Sequence, residues 1–367
     1  MRSSRSWRAR VNSSCSVDNS ALASRSEKKR VAIGTSTAAP YRMQTRSESG
    51  THGTVRPMLR DLTGEERAAY FRGIQPIWGG GLSEDRFQLF QRRLADAPES
   101  RDRYRLLGWF ANGRLTSAMK TYDLRATCAG RPLRVLGVGA VFTPPELRRR
   151  GYAAAMLRAA MDESASAGAQ AAVLFSDIPI HYYEGLGFRV VESRECTVDA
   201  AELPHIPAAT RPALAGDEPL MTRLFAASCG TSGRFALARD GWTLRFQLRR
   251  LRELARARGP GEPEWGLVAE GRYGEGAAML RFGRDSLDVL EAAWTDDAAR
   301  DRVLSGLRDC LHRAGRTRLR LWPAGQLREM FDAPDRHTAI AMIAPLDGAT
   351  SLPERGGPTD LALLDHI

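Results

Sequence analysis

The hydrophobic pattern switches repeatedly between a period of two and a period of 3.6 residues, and the switches divide the chain into elements. A short strand in Thr54-Val-Arg-Pro-Met-Leu59 precedes Thr63-Gly-Glu-Glu66, a capping box that opens a helix carrying Ala69, Tyr70 and Phe71. The Gly79-Gly80-Gly81 break leads to a second helix, Ser83 to Ala95. Three strand-like runs follow, Arg105 to Phe110, Leu115 to Tyr122 and Leu133 to Phe142, with an Asn112-Gly113 hairpin turn between the first two. Gly137 and Gly139 in the third run mark a bulge or a close backbone approach. From Gly151 to Ala167 the pattern is helical, with Ala153, Met156, Leu157, Ala160 and Met161 on one face and Arg158, Asp162 and Glu163 on the other. A buried strand from Ala171 to Phe175, a helical turn around Tyr182 to Leu186 and a strand from Phe188 to Val198 complete this unit. The order predicts an α/β (α+β) mixed sheet with helices on both faces.

Residues 201–218 have the proline-rich composition of a linker. A second core then runs over 219–346. Its helices are expected from Pro219 to Ser228, Asp240 to Ala255 and Asp297 to His312, and its strands over Trp265–Glu270, Ala277–Phe282, Leu287–Ala293, Arg318–Trp322 and Ala339–Ile343. Helix starts at 151 and 297 and strand starts at 172 and 318 share one offset of 146 residues, the mark of a diverged tandem repeat of one fold. Residues 347–367 read as a C-terminal tail, with Asp365-His366-Ile367 frayed at its end.

Composition narrows the function classes. The net charge of +11 over 367 residues lies mostly in residues 1–53, which hold a net +7 and read as a disordered basic tail. Only Lys28, Lys29 and Lys120 among 54 basic residues are lysines, an arginine skew that records codon bias rather than a phosphate-binding surface. Nucleic acid is therefore not the expected partner. The N-terminal stretch has no apolar segment of a secretory signal, and it reads as a tail, or as translation upstream of a start at Met43 or Met58, ahead of a transit peptide. No apolar run approaches the ~20 residues of a membrane span, so a cytoplasmic protein without membrane contact is expected. The five cysteines are scattered without a C-x-x-C pair and the six histidines fall at no ligand spacing, so neither a disulfide framework nor a metal is expected.

The chemistry concentrates in Gly139-Ala-Val-Phe-Thr-Pro-Pro-Glu-Leu-Arg-Arg-Arg-Gly-Tyr-Ala-Ala154. A strand ends at Thr143, Pro144 and Pro145 stop the ladder, and a basic loop enters a helix at a glycine. The first amides of a helix have no intrahelical partner and carry the positive end of its dipole, so they can hold a pyrophosphate. Gly151 presents no Cβ to block that approach, and Arg148, Arg149 and Arg150 add charge-assisted hydrogen bonds. Taken alone, such a run is also what an exposed basic turn capping an amphipathic helix looks like. About thirty residues on comes Ser176-Asp-Ile-Pro-Ile-His-Tyr-Tyr-Glu-Gly-Leu-Gly-Phe188.

Together these segments resemble the GNAT acetyltransferase superfamily over roughly residues 54–200. The family's Q/R-x-x-G-x-G/A signature is met by Arg148, Gly151 and Ala153, and its F/Y-Y-E-x-L-G-F element by Tyr182-Tyr183-Glu184-Gly185-Leu186-Gly187-Phe188. The tandem arrangement is similar to the enhanced-intracellular-survival type, through Val141-Phe142-Thr143-Pro144-Pro145-Glu146-Leu147-Arg148-Arg149-Arg150-Gly151, without that type's third domain. The resemblance implies a catalytic GNAT domain over 54–200, a degenerate copy over 219–346 and acetyl-CoA as co-substrate. It implies that Val141, Phe142 and Thr143 pair with the pantetheine arm, and that Arg148, Arg149, Arg150, Gly151, Tyr152, Ala153 and Ala154 form the phosphate-binding run. Ser176 would stand where two strands splay, and Tyr183 would be the catalytic acid.

A phenol suits the proton that a leaving thiolate requires. Tyr183 is also placed to be a packing aromatic beside Phe188, and Tyr182 competes for the acid role. His181, Asp177 and Glu184 are alternatives for the base, which stays unassigned because Gly137, Val138 and Gly139 offer no carboxylate on the strand where some family members keep one. The expected activity is acetyl transfer to a primary amine of a small molecule or peptide. The alternative is a non-catalytic acyl-CoA-binding or assembly module built from degenerate domains. The amine, the oligomeric state, homo-oligomer included, and the role of the C-terminal carboxylate, which in some tandem relatives reaches the active site, are left open. At the second helix start, Thr295-Asp296-Asp297-Ala298-Ala299-Arg300 replaces the basic loop, so the second domain is expected to bind no CoA.

Overall fold

The computed structural model describes residues 56–207, 209–229, 233–259, 266–272, 274–283, 286–346 and 352–366, and the basic tail over 1–53 lies outside them. In chain order the first elements are β1 (Met58–Asp61), α1 (Gly64–Trp78), α2 (Glu84–Ala95), β2 (Tyr104–Ala111), β3 (Arg114–Cys128), β4 (Arg131–Phe142), α3 (Tyr152–Ser166), β5 (Ala171–Ser176), α4 (His181–Glu184), β6 (Arg189–Val190) and β7 (Cys196–Asp199). There follow β8 (Arg211–Pro212), α5 (Glu218–Ser228), β9 (Ala236–Leu237), α6 (Gly241–Arg258), β10 (Gly266–Ala269), β11 (Gly276–Phe282), β12 (Leu287–Trp294), α7 (Asp297–Arg313), β13 (Arg318–Leu321) and β14 (Ile340–Pro345).

Local chemistry fixes several boundaries where the sequence placed them. The Thr63 N–H donates to the Glu66 carboxylate at 2.8 Å, and Ser83 caps α2. Asn112 and Gly113 both take positive φ, the conformation that a two-residue hairpin between right-twisted strands requires.

Two mixed sheets result. The first runs β1-β2-β3-β4-β5-β14-β6, with β9 added alongside β3, and the second runs β7-β13-β12-β11-β10-β8. On one face of the first sheet α3 packs Met156, Leu157 and Ala160 against Met119, Leu136, Val138 and Leu174. The other face is covered by α1, α2 and α6 through Tyr70, Phe71, Phe87, Leu94 and Phe246. Both faces are thus closed, as a sheet with a parallel β4–β5 pair requires.

Sheet membership departs from the linear division of the chain in three places. The single strand expected over 188–198 is two strands in different sheets, because the polar stretch Glu192 to Glu195 carries the chain across and is held by Arg328 and Arg320. The last strand of the second core, β14, lies in the first sheet, antiparallel to β5 from Ile340 opposite Ser176 to Pro345 opposite Ala171. Its apolar run is buried on both faces and covers what would otherwise be an open sheet edge. The expected linker supplies β8, which pairs with β10.

The C-terminal tail is not frayed over its described part. Leu361 to Asp365 are buried, and Arg239 grips Asp365 through two hydrogen bonds of 2.6 and 2.9 Å. The reason is chemical: Leu361 packs in the core of the first sheet, and Ala362, Leu363 and Leu364 pack in that of the second. No described helix is long and apolar enough to cross a membrane.

Candidate active site

The parallel pairing of β4 with β5 covers only Val135 to Val138 against Ala171 to Leu174. Both strands continue, β4 to Phe142 and β5 to Ser176, so they diverge beyond Val138 and Leu174. The cause sits in β4. Ala140 has φ +46, and the register against β3 slips there, with Lys120 opposite Gly139 but Ala118 opposite Phe142. This is a β-bulge, one residue beyond the second of the two glycines that predicted it. The Tyr70 hydroxyl donates to the Ala140 carbonyl at 2.6 Å and fixes the bulge from the α1 side. Val141, Phe142 and Thr143 therefore leave the β5 side of β4 without a strand partner, the place where an extended ligand arm can add main-chain hydrogen bonds.

Past Thr143 the chain turns through Pro145–Leu147 and enters α3. Arg149 has φ +60 and Gly151 φ +80, so successive amides are turned into a concave, anion-binding arrangement at the helix start. Gly151 is the N-cap residue and no side chain caps α3, which leaves the first amides free for an external acceptor. A Cβ added at Gly151 would meet no protein atom within 4 Å. Space there is open, and the glycine serves conformation and access. Arg148, Arg149 and Arg150 are exposed, and among the described residues none forms an ion pair; Arg148 Nε donates to the Thr143 carbonyl at 3.1 Å. Tyr152, Ala153 and Ala154 form the half-buried first turn. Every feature fits a pyrophosphate.

Tyr183 lies in α4, 8% exposed, its ring 5.0 Å from that of Tyr182 and 5.9 Å from that of Phe188, both edge-on. Both sequence readings therefore have a physical counterpart, since the ring packs on Phe188. Burial pushes the phenol above its ordinary value, with Tyr182 and Asp177 adding to the effect, so it stays protonated through the neutral range. Tyr182 is also pushed up by burial, while Arg158 on α3 pulls the other way. Ser176 is buried with its hydroxyl donating to the Ile178 carbonyl at 2.8 Å, at the end of β5 beyond its last pairing with β4 and opposite Ile340 of β14. Asp177 accepts from the Ala339 N–H at 3.0 Å and Glu184 pairs with Arg355, so both carboxylates are engaged. His181 is exposed.

The second sheet repeats the geometry and closes it. Its parallel pair β12–β13 is likewise short, Leu287 to Val289 against Leu319 to Leu321, while β12 continues to Trp294. Into the resulting gap Gln326 inserts its amide, accepting from the Trp294 N–H and donating to the Trp294 carbonyl, each at 2.9 Å. The start of α7 is capped internally, Asp296 accepting from the Ala299 N–H at 2.8 Å, and Asp297 adds a second negative charge in the first turn.

Several site residues escaped the sequence. Tyr70 and Gln91 look like ordinary helix positions, and their contacts with Ala140 on β4 and Lys120 on β3 arise only because α1 and α2 fold across the sheet. His366 packs 5.6 Å from Phe175 at the end of β5 and 5.4 Å from Trp322. Among the described residues no group of three or more His, Cys, Asp or Glu side chains could hold a metal ion.

Comparison with known proteins agrees with this geometry. Residues 59–191 match the acetyltransferase (GNAT) domain family. No match was found among curated proteins. Among solved structures, a GCN5-related N-acetyltransferase from Kribbella flavida is similar at 18% identity with a TM-score of 0.60, covering 80% of this chain and 71% of that one. A GCN5-related N-acetyltransferase from Anabaena variabilis is similar at 13% identity and a TM-score of 0.60, covering 80% and 73%. A probable N-acyltransferase of unknown function from Enterococcus faecalis is similar at 15% and 0.59, with the same shares of 80% and 73%. Residues 59–191 thus match the GNAT domain family, in a chain whose two mixed sheets form a tandem GNAT-like fold.

Proposed function

We propose that the protein is an N-acetyltransferase that moves the acetyl group of acetyl-CoA to a primary amine of a small molecule or peptide. The observation that carries this reading is one juxtaposition. The unpaired edge of β4 at Val141 to Thr143, the uncapped start of α3 at Gly151 and the buried phenol of Tyr183 surround one divergence between β4 and β5.

Acetyl-CoA supplies an activated thioester. The chain supplies position: main chain of 141–143 for the extended arm, amides from Arg149 to Ala154 and the guanidinium groups of Arg148 to Arg150 for the pyrophosphate. Tyr183 gives its hydroxyl proton to the departing sulfur. A phenol held protonated suits that task, because a thiolate forming in the same buried surroundings is itself more basic than in water. The second domain is proposed to bind no acyl-CoA, since Gln326 and Asp296 occupy from within the two positions that a ligand would use.

The test is release of free CoA from acetyl-CoA with aminoglycosides, polyamines, lysine, small amino acids and peptide N-termini as acceptors. Release that requires one class of amine is expected. Tight binding of acetyl-CoA with no acceptor-dependent release would assign the chain to the non-catalytic alternative.

A further inference from the structure

The reaction as derived lacks a group to take the proton from the acceptor ammonium, and the strand positions 137–139 hold no carboxylate. On the face of the sheet covered by α1 and α2, the neighbouring strand supplies one ionisable side chain at that level. Lys120 on β3 stands directly opposite Gly139 on β4, one step before the bulge. Residues directly opposite in an antiparallel pair point to the same face, so the missing side chain at 139 leaves that face of β4 bare beside Lys120. The next rung repeats the arrangement, with Tyr122 opposite Gly137. Across the bare rung, β5 continues to Phe175, so Lys120 and Phe175 flank the point where β4 and β5 part.

We infer that Lys120 is the general base of this acetyl transfer, an assignment that rests on the proposed activity. Its neutral amine takes one proton from the acceptor ammonium. The freed nitrogen lone pair then forms the N–C bond to the acetyl carbonyl carbon, and the C–S bond breaks with its electron pair on sulfur. The sulfur takes the Tyr183 hydroxyl proton, the nitrogen's second proton restores the phenol, and Lys120 returns its proton to solvent.

Three further observations support the assignment. Lys120 is half-buried, and among the described residues it has no anionic partner; its Nζ donates to Gln91 Oε1 at 2.9 Å. It is the sole lysine in the described chain, although 54 positions are basic and the other two lysines lie in the tail. Arginine cannot surrender its proton in the neutral range and lysine can when desolvated, so the chemistry distinguishes this position from its arginine-rich background. Burial, with a contribution from Arg250, brings the Lys120 ammonium down to about 7. Other titratable or charged groups on this face include Tyr70 on α1, Tyr104 on β2, Tyr122 and Cys128 on β3, and Arg250 and Glu253 on α6, the last paired with Arg93 on α2, with the uncharged Gln91 on α2. Burial raises all three phenols, Tyr122 to about 12, so none of them titrates with Lys120.

The decisive variant is Lys120→Arg, which keeps a cation and a donor toward Gln91 but cannot act as a base; Lys120→Gln, smaller than arginine, guards against misfolding. Both should bind acetyl-CoA with wild-type affinity while turnover falls ~10²-fold or more, and the rising limb of kcat/KM near pH 7 should disappear. Exogenous imidazole, a base of near-neutral pKa that is not a primary amine, should restore part of the rate of acetylation of the acceptor in Lys120→Gln. Independently of activity, nitrogen-15 NMR of the three lysine side chains should show one titrating near 7, absent from Lys120→Arg. Wild-type turnover in a folded Lys120→Arg, or all three lysines titrating above 10, would overturn the assignment while leaving the acetyltransferase reading intact. An acetylated Lys120 that passes its acetyl group to the acceptor would overturn it in favour of a nucleophile. Absence of CoA release by the wild-type chain, by contrast, defeats the activity itself and the base with it.

Discussion

The side-chain amide of Gln326 satisfies both main-chain hydrogen-bonding groups of Trp294, donating to its carbonyl and accepting from its N–H at 2.9 Å each. In the first domain the corresponding strand edge, at Val141 to Thr143, has no such partner from β5. Calorimetry should therefore give one acetyl-CoA per chain. Asp296→Ala should leave that stoichiometry unchanged and lower stability by ~1 kcal/mol through loss of the α7 cap. Two bound molecules would mean that Gln326 is displaced by ligand.

Gly151 combines φ +80 with open space beyond its Cα. In Gly151→Val the strain of a β-branched residue in the left-handed region should cost ~1–2 kcal/mol, leaving the chain folded, while the Cβ stands where phosphate oxygens approach the amides. A clear rise in the acetyl-CoA dissociation constant is expected, read alongside a thermal melt. Unchanged affinity in a folded variant removes Gly151 from the cofactor site.

Tyr183→Phe retains the ring packed on Phe188 and deletes only the hydroxyl. Acetyl-CoA affinity should hold while turnover falls ~10²–10⁴-fold. Tyr182→Phe should be mild by comparison. A reversed order transfers the acid role to Tyr182.

Arg239, buried between the carboxylates of Asp365 and Glu291, ties the C-terminal segment to β12. Burial pushes the Glu291 carboxyl up to about 7 from an ordinary 4.5, and moves Asp365 upward as well. A raised carboxyl means that the folded chain holds a proton which the unfolded chain releases, so this contribution is complete below about pH 4.5 and is lost as pH rises through about 7. Urea midpoints at pH 5 and 7.5 should show that decline, and Glu291→Gln should flatten it. An identical slope in the variant excludes Glu291 as its source.

What the sequence determined by itself was local. Capping residues, the Asn112-Gly113 turn and the 3.6-residue periodicity act within a few positions, and they located α1, α2 and α3 to within a residue or two. The phosphate-binding run was legible for the same reason: a helix start, a left-handed glycine and adjacent arginines are neighbours in sequence as well as in space. Tertiary structure alone decided the rest. An apolar strand such as Ile340–Pro345 can close any exposed edge, and only the assembled pair of sheets placed it between β5 and β6. The pairing of Lys120 with Gly139 depends on a β3–β4 register that side-chain packing sets over the whole hairpin. The closure by Gln326 and the burial of Asp365 against Arg239 likewise join residues 32 and 126 positions apart, a separation at which periodicity carries no information.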